Sequence, residues 1–151
     1  MARMYWLFAF FASWIVFFVL VRREQSKLVY FGGVIAIALQ LCIDINANKL
    51  GIYYISGAMI TFHGSPLCFT FGIVLSMGII FLQYLPRHRW WQVAHIVVFS
   101  LLFMIFEIVV IHVGNLEYIH WNFVASTFVD YTVFMALCWY GTVFVKKEKL
   151  A

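Results

Sequence analysis

Six acidic residues stand among 151, and three of them, Asp44, Glu107 and Asp130, fall inside long apolar runs. A carboxyl group there is costly, because leaving water disfavours its charge, and such groups usually face a bundle interior or a wet cavity. In that setting a carboxylate can exchange a proton as a ligand enters or leaves. Gln40 lies four residues before Asp44, which puts both on one face of a helix. Glu107 has no polar residue one turn away on its own helix, so it needs a partner from another. Asp130 follows Ser126 and Thr127 by one turn, so a hydroxyl bond used as packing glue competes with a functional role there. For Asp44 the competing role is a hydrogen bond near lipid headgroups.

His112 and His120 flank a short segment containing Asn115 and Glu117. Imidazole and carboxylate suit zinc, but no tight spacing such as HExxH is present, so these histidines are expected at the mouth of a site without a metal. His88 and His95 read as interfacial. Cys42, Cys68 and Cys138 match neither a zinc pattern nor CxxC and read as small hydrophobes. There is no nucleophile motif, Gly-rich phosphate loop or haem-attachment sequence, so no catalytic residue and no cofactor can be named.

The elements that hold these residues follow from composition. The chain is 66% hydrophobic, 21% aromatic and 11% charged, against about 25% charged for a soluble domain. Disorder, nucleic-acid binding and an ordinary soluble domain are excluded; such a surface must face lipid. Crossing a bilayer takes about 20 apolar residues. The runs divide into spans over 4–21, 28–46, 65–85, 91–113 and 122–145, an all-α, five-helix membrane bundle forming a single domain over 1–151. The first run carries its positive cluster after the apolar stretch and lacks a small-residue cleavage site, so it reads as a retained anchor. Residues 47–64 contain an apolar part, 51–62, too short to cross and punctuated by Gly51, Gly57 and Gly64. An interfacial or re-entrant segment is expected, with Tyr53 and Tyr54 at headgroup level.

Charge orients the bundle. With the N-terminus outside and the C-terminus cytoplasmic, Arg22, Arg23, Lys27, Arg87, Arg89, Lys146, Lys147 and Lys149 lie inside, and Arg3 and Lys49 outside. Asp44 then sits about 3 Å from the outer end of its span, Glu107 about 9 Å and Asp130 about 12 Å. Asn46, Asn48, His63, Asn122 and the residues around His112 and His120 gather on the same side, so a polar outer vestibule stands above an apolar inner plug. Gly72 and Ser76 form a small-xxx-small pair that permits close helix approach. Trp6, Trp90, Trp91 and Trp121 sit at span ends as aromatic anchors, while Trp14 and Trp139 lie deeper. No internal repeat is visible, which disfavours a self-contained inverted-repeat transporter.

Tyr84-Leu85-Pro86, the basic turn with Trp90-Trp91, Glu107 in the next span, and Tyr118-Ile119-His120-Trp121 follow in an order that resembles an uncharacterised family of small multi-pass membrane proteins of spore-forming Gram-positive bacteria of the Bacillus and Clostridium type. The resemblance covers the last two-thirds of the chain, is strongest between Pro86 and Trp121, and leaves out Asp130. It implies a bacterial plasma membrane and supplies no activity.

The function expected first is an outer-half vestibule that binds an ion, proton or small amphiphile through Glu107, Asp130, Asp44, Gln40, His112 and His120. An accessory subunit, held by the same polar groups in a homo-oligomer or with a membrane-protein partner, is the alternative. An intramembrane lipid-acting enzyme is a distant third.

Overall fold

The computed structural model describes residues 2–22, 25–62 and 64–145; Arg23, His63, Lys146, Lys147 and Lys149, all used above, lie outside the described residues, as does the side chain of Arg3. Helix α1 is Ala2–Leu20 and α2 is Lys27–Lys49. Strand β1 (Tyr53–Ile55) and the pair β2 (Thr61–Phe62) and β3 (Ser65–Pro66) follow. A π-helical stretch, Phe69–Val74, runs into α3, Leu75–Gln83. Then come α4 (Arg89–His112), β4 (Leu116–Tyr118) and α5 (Phe123–Tyr140), which ends in a π-helical turn over Gly141–Val145.

The chain is mostly helical, as its composition requires: in apolar surroundings only a helix satisfies its own backbone polar groups. Among the described residues three helices are long and apolar enough to cross a membrane, Lys27–Lys49, Arg89–His112 and Phe123–Val145. The apolar helices Met4–Leu20 and Phe69–Gln83 are shorter. Caps fix two of the starts. Ser26 Oγ accepts from Leu28 N at 3.1 Å, and Asn122 Oδ1 accepts from Ala125 N at 2.8 Å.

All five helices run between the same two ends. At one end Gln83 Nε2 donates to Leu20 O at 2.9 Å, Tyr84 Oη to Leu20 O at 3.0 Å and Tyr140 Oη to Leu28 O at 2.9 Å, locking α1, α2, α3 and α5 beside Arg22 and Lys27. Close approach needs missing side chains. A Cβ on Gly78 would stand 2.7 Å from Ala36 Cβ, and one on Gly72 would stand 2.8 Å from Ser13 Oγ. Gly72 and buried Ser76 thus fill the close-packing role that their spacing predicts.

The other end carries short strands beside the helices. Residues 51–62 and 64–66 run as short strands and turns. β1 pairs antiparallel with β4, placing Tyr53 opposite Tyr118 and Ile55 opposite Leu116, and β2 pairs with β3. Gly51, at φ 61°, and Gly114, at φ 77°, turn the chain out of α2 and α4 into this ribbon. Trp6 Nε1 donates to Ser56 O at 3.0 Å, so the ribbon is tied to α1. Trp6 is only 3% exposed and not a surface anchor, because the ribbon folds over it. Trp90 and Trp91 are exposed, as anchors should be.

Candidate functional site

The three carboxyl groups expected inside the bundle meet at one cavity. It is about 70 Å³ and is lined by Gln40 and Asp44 of α2, Tyr53 of β1, Glu107 of α4, and Ser126 and Asp130 of α5. Its apolar wall includes Trp6, Phe69, Phe103 and Val110. Among the described residues no Lys, Arg or His lines it. At about 30 Å³ per water the space holds about two molecules.

Each acid has a different partner set. Gln40 Nε2 donates to Asp44 Oδ1 at 2.9 Å, the contact that four-residue spacing on one helix predicts. The Tyr53 hydroxyl donates to the same oxygen at 2.5 Å. The second oxygen of Asp44, Oδ2, has no hydrogen-bond partner, and the Ser65 hydroxyl lies near the carboxyl group. Asp44 is 2% exposed. The headgroup role considered for it does not fit so closed a position.

Glu107 takes its partner from another helix, as its isolation on α4 requires. Ser126 Oγ on α5 stands 2.7 Å from Oε1 and 2.6 Å from Oε2, so one hydroxyl proton is shared between both oxygens. The Tyr118 hydroxyl faces Glu107 and Ser126 without reaching hydrogen-bond geometry. Neither hydroxyl near Asp130 serves it: Ser126 is committed to Glu107, and Thr127 Oγ1 donates to Phe123 O at 2.6 Å. Asp130 is 8% exposed, and its buried Oδ2 has no hydrogen-bond partner.

Two tyrosines at the roof carry perturbed hydroxyls. Burial, then the charge of Asp44 and its hydrogen bond, then Glu107, push Tyr53 far above the ordinary tyrosine range. Burial and then Glu107 push Tyr118 up as well. Sequence reasoning placed Tyr53 at headgroup level and missed it as a cavity residue. The alternation of Tyr53 and Ile55 inward with Tyr54 outward is the signal that could have found it.

His112 and His120 are not brought to the cavity; both side chains are exposed at the ribbon end. No group of three or more His, Cys, Asp or Glu suited to a metal ion occurs among the described residues. Below the cavity a gap of about 20 Å³ continues past Gln40, Phe103 and Asp130 to Phe134 and Leu137. Phe134 also packs with Phe81 and Phe99, the three ring centroids lying 5.0–5.8 Å apart.

No family model, no curated protein and no solved structure matches the chain.

Proposed function

We propose that this chain is a five-span membrane bundle, N-terminus outside and C-terminus cytoplasmic, whose carboxyl cavity takes up a small positive species, a proton or a monovalent cation. The bacterial plasma membrane implied by the family resemblance belongs to the same reading. The observation that carries it is Asp130: a buried carboxyl group with an unpartnered oxygen, facing a cavity shared with two further acids and, among the described residues, no basic one. Negative potential focused in a low-dielectric pocket favours positive charge there. A volume of about 70 Å³ suits water or a small cation better than the amphiphile also considered. The exposed apolar faces of α1 and α5, such as Phe8, Phe18, Val124 and Phe128, suit lipid contact.

Melting of the detergent-solubilised protein tests this. A bound species stabilises the folded state by mass action. The melting temperature of wild type should respond to sodium or potassium at fixed pH if a metal cation binds, and to pH alone if a proton does. Asp130→Asn and Glu107→Gln, which keep shape, should flatten that response while remaining folded. Unchanged responses in both variants would defeat the reading. Loss of an oligomer or partner instead would make the acids assembly residues, the role of an accessory subunit.

A further inference from the structure

The carboxyl cavity has a second kind of wall. Besides its acids it is lined by Trp6, Tyr53, Phe69, Phe103, Phe106 and Trp121, brought there from α1, β1, the π-helical stretch, α4 and the residues just before α5. Three of these rings pack as one group. Phe69 and Phe106 are stacked at 5.9 Å, and Phe103 stands 5.9 Å from Phe69 and 6.2 Å from Phe106. Trp6 meets Phe69 edge-on at 6.1 Å. Several of the oxygens in the lining are already committed: Asp44 Oδ1 accepts from Gln40 and Tyr53, and Ser126 holds both oxygens of Glu107. Asp44 Oδ2 and Asp130 Oδ2 are buried without a hydrogen-bond partner, on residues 2% and 8% exposed.

This mixture of few free oxygens and many rings favours one kind of cation. A hard metal ion such as calcium takes about six or more oxygens, and among the described residues no group of three or more His, Cys, Asp or Glu suits a metal. An ammonium ion needs only an acceptor or two for its N–H groups. Aromatic rings attract its charge when it lies within about 6 Å of their centroids, and a carbon substituent is at home against the same apolar wall. The volume of about 70 Å³ is the space of about two waters, which is the size of a cation with two heavy atoms. We propose that the species taken up is a small alkylammonium ion of methylammonium size, its N–H donating to Asp130 Oδ2 and its charge and methyl group meeting the Phe69 and Phe103 rings. The inference rests on the cation reading above and names the chemical class of the cation. Phe103 is the ring placed nearest the acceptor's end of the cavity, since with Asp130 and Gln40 it lines both the cavity and the gap below it.

Methylammonium chloride is the probe, exchanged for sodium or potassium chloride at constant total salt and near-neutral pH while the detergent-solubilised full chain is melted. Affinity is read from the rise in melting temperature with concentration. Methylammonium should bind about tenfold or more tightly than either metal ion, in keeping with desolvated cation–π contacts. Tetramethylammonium, too large for the space, should act no better than sodium. Asp130→Asn should abolish the methylammonium response. Phe103→Leu and Phe69→Leu, which keep apolar bulk and lose a ring, should each weaken methylammonium binding about threefold or more and leave any sodium response unchanged. The outcomes separate the two ideas. Sodium or potassium matching methylammonium, with Asp130→Asn flattening all three, leaves the cation site and overturns the alkylammonium assignment. A response to pH alone makes the occupant a proton and overturns it too. Methylammonium binding that both ring variants leave untouched overturns recognition by the rings. Binding that survives Asp130→Asn removes the cation site itself, and the assignment with it.

Discussion

Ser126 on α5 shares one hydroxyl proton between the two carboxylate oxygens of Glu107 on α4, at 2.6 and 2.7 Å. That single contact welds two helices and, by occupying the hydroxyl one turn above Asp130, leaves Asp130 unpartnered at the cavity. Packing and site chemistry are therefore coupled through one serine.

Ser126→Ala should lower stability by about 1–3 kcal/mol, because it strips the donor from a part-buried carboxylate. In a Glu107→Ala background the same change should cost less than about 0.5 kcal/mol, since the bond is already gone. Chemical unfolding in detergent, run as a double-mutant cycle, measures both. Additive costs would show that the contact contributes nothing.

Helix approach is equally open to test at Gly78. Gly78→Ala places a Cβ 2.7 Å from Ala36 Cβ, which has no rotamer to yield. Overpacking should cost about 1–3 kcal/mol. Adding Ala36→Gly should return most of the loss, and a double variant no more stable than Gly78→Ala alone would contradict the close packing of α2 on α3.

Alkaline pH probes Tyr53. Its hydroxyl is pushed well above the ordinary range by burial first and then by Asp44, whereas an unfolded tyrosine ionises near pH 10. Below about pH 10 its contribution is intact. Above it the folded chain binds more protons than the unfolded one, so stability falls as pH rises toward the folded value. Tyr53→Phe removes one such group, and its melting temperature should decline less steeply than that of wild type in this window. Equal slopes would place Tyr53 in water.

Much of this was legible in the sequence. Runs of apolar residues set the five helices to within a few positions, and three-or-four spacing put Gln40 beside Asp44. The isolation of Glu107 on its own helix called for a partner elsewhere, and Ser126 supplies it. What was hidden depends on distant pairing. β1 is three residues long and is ordered by Leu116–Tyr118, over 60 positions away, so local pattern could not turn Tyr53 inward or bury Trp6 beneath the ribbon. Ser126 and Thr127 were both candidates for Asp130 by spacing, yet side-chain direction and the nearness of α4 assigned them elsewhere. His112 and His120 flank the right loop but stay outside, because the ribbon occupies the mouth they were expected to line.

A small positive species in the carboxyl cavity can be seen directly. Anomalous diffraction from crystals grown with thallium(I), beside crystals grown without it, addresses this most directly. The expected result is either a thallium peak within reach of Asp130 and Glu107 or, if the species is a proton, ordered water joining the two acids without thallium. A dry cavity with Asp130 bonded back to Ser126 or Thr127 would contradict it and make the acid a packing residue.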